Sequence, residues 1–231
     1  MKIETPLIPS WVHSLNDYQH MFALTDRDLA QSILDYPAGI SSFNAEMYER
    51  GYDIISGDPH YDLTPLDMSK HADNIIQHLA THLHEYADRI QGEGEKTLEN
   101  IVNAWNHYAQ IFVTDYSQGK LEGRYRAAKL PALPFADFEF ELALCPDLLF
   151  RNKEASPEAM VAELCRVAHE VPVFPLLDAH GEVASALGTV MLNLQQSNFG
   201  VEVREVPYKL QKGSNAMLRI SAKACTITDD V

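Results

Sequence analysis

The most constraining stretch of this chain is residues 32–58. Ser32-Ile33-Leu34-Asp35 is a brief apolar run that stops at Pro37 and Gly39. Ser41 to Arg50 follows at helical spacing, with Phe43 and Met47 four residues apart, and Gly51 closes it. Tyr52–Asp58 is rich in β-formers and ends at Pro59. Strand, glycine turn, helix, glycine stop, strand, acid: this order within about 30 residues is a βαβ unit.

The rest of the chain extends that unit. Residues 1–16, with Pro6, Pro9 and Trp11, read as an arm packed on the body. Residues 17–30 read as a short helix that restarts at Thr25-Asp26. Between 62 and 123 the alternation breaks. Ala72, Ile75, Ile76, Leu79, Leu83, Tyr86, Ala87 and Ile90 recur at helical spacing, as do Leu98, Ile101, Val102, Trp105, Tyr108, Ala109, Phe112 and Tyr116. Gln91–Glu95 supplies the turn of this helical hairpin. Strands are expected again at Arg124–Leu130, Glu139–Cys145, Val171–Leu176, Val201–Val206 and Met217–Ile220. Ser156-Pro157 starts one intervening helix, and residues 183–198 form another. Pro172 and Pro175 are expected at the ends of their strand or near a sheet edge. The last two strands have no helix between them, so the last is expected to pair antiparallel. The expectation is one α/β domain over 1–231: a mostly parallel seven-stranded sheet, helices on both faces, and a helical insertion at 62–123.

Charge and cysteine content exclude several functions. The chain holds 18 Lys+Arg and 33 Asp+Glu, a net charge of −15. Phosphate binding needs clustered cations, so nucleic acid and an anionic membrane are not expected partners. Residues 1–123 hold 19 acids and 7 bases, so the acidity belongs to the half with the βαβ unit and the insertion. Cys145, Cys165 and Cys225 are three, with no CxxC, which fits a reducing compartment and excludes a disulfide framework or a Cys-rich zinc site. Without a signal-like or spanning apolar run, the expected location is the cytoplasm.

In open α/β sheets ligands bind beyond the C-terminal ends of the strands. Asp58 follows Gly39 by 19 residues, close to the spacing of about 20 at which an acid accepts from ribose hydroxyls. The turn lacks GxGxxG and holds Gly39 alone, so it offers a pyrophosphate too little open backbone. An adenosine without phosphates needs less. The bland alternative for Asp58 is a turn or cap acid.

Here the residues resemble a family. Ile33-Leu34-Asp35-Tyr36-Pro37-Ala38-Gly39 is similar to the first motif of class I S-adenosylmethionine-dependent methyltransferases. Gly57-Asp58-Pro59 resembles the acidic end of their second strand. Leu133-Pro134-Phe135-Ala136-Asp137 with Phe140–Cys145 resembles their LPF segment and fourth strand, and the terminal strand pair resembles their inverted end. Asn44-Ala45-Glu46 and Ala128–Cys145 further resemble a bacterial branch. Pro37 and Ser41 stand where the family usually has glycines, and Lys129 where it often has an acid.

The resemblance implies a Rossmann-like methyltransferase fold and S-adenosylmethionine as cofactor. It implies that Asp35 orients the turn or reaches the cofactor amino group through water, that Tyr36, Ala38 and Gly39 line the methionine moiety, and that Phe43 also binds the cofactor. Asp58 would accept from the ribose, Pro59 would pack on the adenine, and Leu130 and Leu133 would flank the ring. Cys145, Pro146 and Asp147 would face the transferable methyl. The implied reaction is methyl transfer to an unidentified small or protein-borne acceptor, with the insertion capping the substrate side. The acidic half would suit a cationic sulfonium. Asp147 and His60 are the candidate general bases. The rivals are a non-catalytic binding or scaffold protein that keeps the fold, and a nicotinamide-dependent oxidoreductase that the single glycine disfavours.

Three further features have bland readings. His71, His78 and His82 share a helix face that opposes the apolar stripe, so a solvated surface is expected rather than a zinc site, HExxH being absent. Cys145 reads as inert core rather than nucleophile. Trp105 and Tyr108 read as packing, or else as lining of a substrate cap.

Overall fold

The computed structural model describes residues 10–90, 97–151 and 156–221. Pro6, Pro9, the turn 91–95 and Cys225 lie outside the described residues. The strands are β1 Ile33–Asp35, β2 Ile54–Asp58, β3 Tyr125–Ala127, β4 Phe140–Pro146, β5 Ala168–Phe174, β6 Gly200–Glu205 and β7 Ala216–Ser221. The helices are α1 Leu15–Met21, α2 Asp26–Leu29, α3 Phe43–Glu49, α4 Pro65–His82, α5 Leu98–Leu121, α6 Pro157–Val167 and α7 Leu187–Gln196.

One sheet runs β3-β2-β1-β4-β5-β7-β6. Every pairing from β3 to β5 is parallel, and β7 is antiparallel to both β5 and β6. Strand order reverses direction at β1, which has β2 on one side and β4 on the other. This is the mostly parallel seven-stranded Rossmann-like sheet, with its reversed last strand, that the sequence leads one to expect.

Alternation along the strands explains the two layers. Leu34, Ala143 and Cys145 point into a core shared with Met160, Val161 and Leu164 of α6. Their neighbours Ile33, Leu142 and Leu144 point the other way, toward Leu15, Tyr18 and Met21 of α1 and Phe43 and Met47 of α3. The arm is fastened on this second face. Ser14 forms a reciprocal cap with Asp17, and Thr25 does the same with Asp28 to restart the chain as α2.

The insertion is a hairpin of α4 and α5, joined in part by a 3₁₀ segment, Leu83–Arg89. Met68, Ala72, Ile76 and Leu79 of α4 pack on Ile101, Trp105, Ala109, Phe112 and Tyr116 of α5. Thr64 and Thr97 cap the two helices. The hairpin is bolted to the sheet by Arg124, whose guanidinium makes two 2.7 Å bonds to Asp115, one of 2.6 Å to Asn44 on α3 and one of 2.9 Å to Glu122. Gly119 admits this bolt. A Cβ there would collide with the Tyr125 ring and the Arg124 guanidinium.

Two expectations need correction. Pro172 is neither at a strand end nor at an edge. It sits inside β5, between β4 and β7, opposite Arg219. The third strand is also shorter than Arg124–Leu130. It covers Tyr125–Ala127, after which Lys129 pairs locally with Ala132 in a turn.

Candidate functional site

The first candidate site begins with the turn after β1. Gly39 has φ of +57°, a left-handed conformation that glycine adopts without a Cβ penalty. Its N–H donates to Asp58 Oδ2 at 3.0 Å, and its carbonyl accepts from the Tyr61 hydroxyl at 2.7 Å. Asp58 ends β2, and its other oxygen takes the His60 N–H at 2.9 Å and lies 3.1 Å from His60 Nδ1. The 19-residue spacing of Gly39 and Asp58 is therefore a direct contact, which pins the turn to the end of the neighbouring strand. Ser41 occupies a usual glycine position without blocking the turn. Its hydroxyl donates to His13 O at 2.9 Å and accepts from Phe43 N at 3.1 Å, tying the arm to α3.

These groups open on a cavity of about 280 Å³. Pro37 to Ile40 and Asp58 form its floor, and Pro146 and Asp147 bring in the end of β4. Met68, His71 and Ile75 of α4 close it from above, and Trp11, His13 and Tyr18 from the arm side. It thus lies between the loops after β1 and β4, at the topological switch point.

The predicted site residues divide into three groups. Ala38, Gly39, Asp58, Pro146, Asp147 and His60 line this cavity. Asp35, Phe43 and Cys145 lie beneath it, each at most 1% exposed. The remaining four, Tyr36, Leu130, Leu133 and Pro59, stand to one side. The Tyr36 hydroxyl accepts from Leu130 N–H at 3.1 Å, Leu133 N–H donates to Glu163, and Pro59 is exposed. Asp35 acts at one remove. It accepts from Tyr18 OH at 2.8 Å and Ser56 OH at 3.2 Å, and Tyr18 both lines the cavity and stacks on Phe43 at 4.2 Å. Burial carries its carboxyl from 3.8 to about 7. Cys145 is fully buried and burial pushes its thiol well up, which fits inert core.

Asp147 takes a different part from the free base expected of it. It sits just past β4 at φ of +52°, its N–H bound to Phe174 O at 2.7 Å. Burial raises its pKa, but the Arg151 charge at 2.8 Å and the His13 bond at 3.0 Å outweigh that and hold the carboxyl below its ordinary range. An ionised, doubly engaged carboxylate orients an imidazole better than it abstracts a proton. The imidazole is His13. With Nε2 donating to Asp147, Nδ1 is left as an acceptor. His13 was not legible beforehand, because a single histidine in an arm has no spacing to mark it.

His71 departs from the solvated face expected of it. It lines the cavity, stacks on His60 at 4.6 Å, and has its pKa lowered by burial first and by His60 second. His78, exposed, and His82, half-buried, pack with tilted rings 4.2 Å apart. No metal-binding cluster occurs among the described residues.

No family model matches the chain. An uncharacterized protein of Methanocaldococcus jannaschii is 27% identical over 213 residues, covering 90% of this chain and 93% of that protein. Among solved structures, magnesium protoporphyrin IX methyltransferase from Synechocystis with bound S-adenosylmethionine is similar at a TM-score of 0.47 and 11% identity, over 91% of this chain and 78% of that one. A methyltransferase of Thermotoga maritima is similar at 0.46 and 12%, over 90% and 88%. The fold assignment rests on the strand order itself. Among the described residues no helix is long and apolar enough to cross a membrane.

Proposed function

We propose that this chain binds S-adenosylmethionine in the cavity at the ends of β1, β2 and β4 and directs its methyl group to an acceptor. The observation that carries this reading is the Gly39–Asp58 contact at the switch point. The acid lies on the cavity floor beside the turn, whose Gly39 N–H it already holds, and it keeps lone pairs to spare beyond its three close contacts. Trp11 lines the same space, and its Nε1 is buried without a partner. The donor set is neutral to acidic, which fits a sulfonium-bearing adenosine and not a pyrophosphate.

When bound, the cofactor supplies a reactive methyl on a cationic sulfur. The protein's own tasks are positioning and proton handling. Asp58 accepts from the ribose hydroxyls with its remaining lone pairs, while the Pro37–Ile40 turn and Trp11 pack against the ligand. Tyr61, Met68 and Ile75 keep water out. Where the acceptor carries a proton, His13 Nδ1 takes it, Asp147 stabilises the resulting imidazolium, and Arg151 keeps Asp147 ionised. Native mass spectrometry of the protein with S-adenosylmethionine is expected to show a one-to-one adduct that Asp58→Ala abolishes. An adduct of equal abundance in that variant would refute the assignment of the acid.

A further inference from the structure

A second cavity, about 330 Å³, lies beside the first and is not needed for the cofactor. It sits past the end of β6, between α1 and the first half of α5. Its walls are Ile101, Ala104, Trp105, Tyr108, Tyr208 and Leu210. Three of these six are aromatic, and the rim carries both Asp17 and Lys209, so neither sign of charge is selected.

Two observations give the cavity a chemistry. The first is Tyr208. It is 5% exposed, and its hydroxyl is buried with no hydrogen-bond partner. Tyr208 lines the cavity, and its enclosed, unpaired hydroxyl costs stability unless a ligand or water reaches it. The second is the partition between the cavities, which is built of paired side chains, one from each. Trp105 of the second cavity lies 5.8 Å from Trp11 of the first, ring to ring, and Tyr208 lies 6.3 Å from His13. The base of the first site and the orphan hydroxyl of the second are thus back to back.

We infer that the second cavity binds a small, neutral aromatic molecule bearing a hydroxyl or ring N–H that pairs with Tyr208. Aromatic walls favour a ring through offset or edge contacts, and a few polar groups, Tyr208 among them, fix its orientation. The ring site goes beyond the cofactor reading and does not depend on it, because the side chains between the cavities keep the two ligands apart.

The test uses the full chain and three probes, phenol, indole and the non-aromatic cyclohexanol. Saturation-transfer NMR titrations are run on wild type, Ala104→Phe and Tyr208→Phe. S-adenosylhomocysteine binding is measured on the same samples. Phenol and indole are expected to bind and cyclohexanol not. Ala104→Phe fills the cavity from a half-buried position and is expected to abolish ring binding. Tyr208→Phe removes one oxygen and is expected to weaken phenol by about threefold to tenfold. Phenol and indole binding no better than cyclohexanol, or binding undiminished in Ala104→Phe, overturns the site. S-adenosylhomocysteine binding without ring binding overturns this inference alone. Ring binding without S-adenosylhomocysteine binding overturns the cofactor reading and leaves the ring site standing.

Discussion

Asp35 offers the most quantitative check on how the site is held together. Its carboxyl is fully enclosed beneath the turn, and burial raises it from 3.8 to about 7 against the opposing pull of the Tyr18 and Ser56 bonds. A folded-state value above the unfolded one means that the native chain binds the extra proton between those limits. Wild-type stability contributed by this group is therefore full below about pH 4 and is lost as pH rises through about 7. At about 1.4 kcal/mol per pH unit the whole window is worth about 4 kcal/mol. About 2 kcal/mol of it falls between pH 5.5 and pH 8.5, above the isoelectric point of 5.0. Asp35→Asn keeps an acceptor for Tyr18 and cannot ionise. The variant is expected to gain on wild type by about 2 kcal/mol across that range, or about 4–8 °C in Tm. Urea unfolding of both proteins at the two pH values measures it. A difference between them that does not change with pH would refute the claim that burial governs this carboxyl.

Three further outcomes follow from the same structure. Arg124→Ala leaves Asp115 partly buried and uncompensated and frees the insertion from α3, so it is expected to cost about 3–5 kcal/mol by denaturant titration. Burial raises the Cys145 thiol beyond its ordinary range and lifts Cys165 to about 12, so in a Cys225→Ser background neither is expected to react with a thiol reagent near pH 8 until the chain unfolds. With a protic acceptor, His13→Gln is expected to slow transfer by about a hundredfold or more while S-adenosylhomocysteine affinity stays within about twofold, measured by labelled-methyl transfer and calorimetry.

The contrast between what was and was not legible follows from the range of each signal. Local patterns carried the βαβ unit, the insertion and the reversed last strand, because helical spacing, caps such as Ser156 and Thr25, and glycine stops act within a few residues. Asp58 was legible as the acid ending β2 because the crossover length fixes its interval from Gly39; that the two are hydrogen-bonded was not. His13, Tyr18 and Tyr208 had no such interval. They reach the site from an arm, a short helix and a loop after β6, 134 residues separating His13 from Asp147. Pro172 misled because a proline forfeits one ladder bond. The β4–β5 register is constant, but Val171 and Pro172 stand unpaired on the β4 side between Leu142–Glu170 and Cys145–Val173, so the interior strand accommodates the loss. His71 misled because helical spacing assigns a face but not what packs over it, and His60 and the cavity lie there.

The central claim is that Asp58 and the Gly39 turn form an adenosyl site. Isothermal titration of wild type and Asp58→Ala with S-adenosylhomocysteine tests it most directly. Wild type is expected to bind one equivalent, and the variant to bind about tenfold to a hundredfold more weakly, the loss of a charged acceptor for the ribose. No heat from wild type at high micromolar ligand would contradict the account, and so would equal affinity in the two proteins.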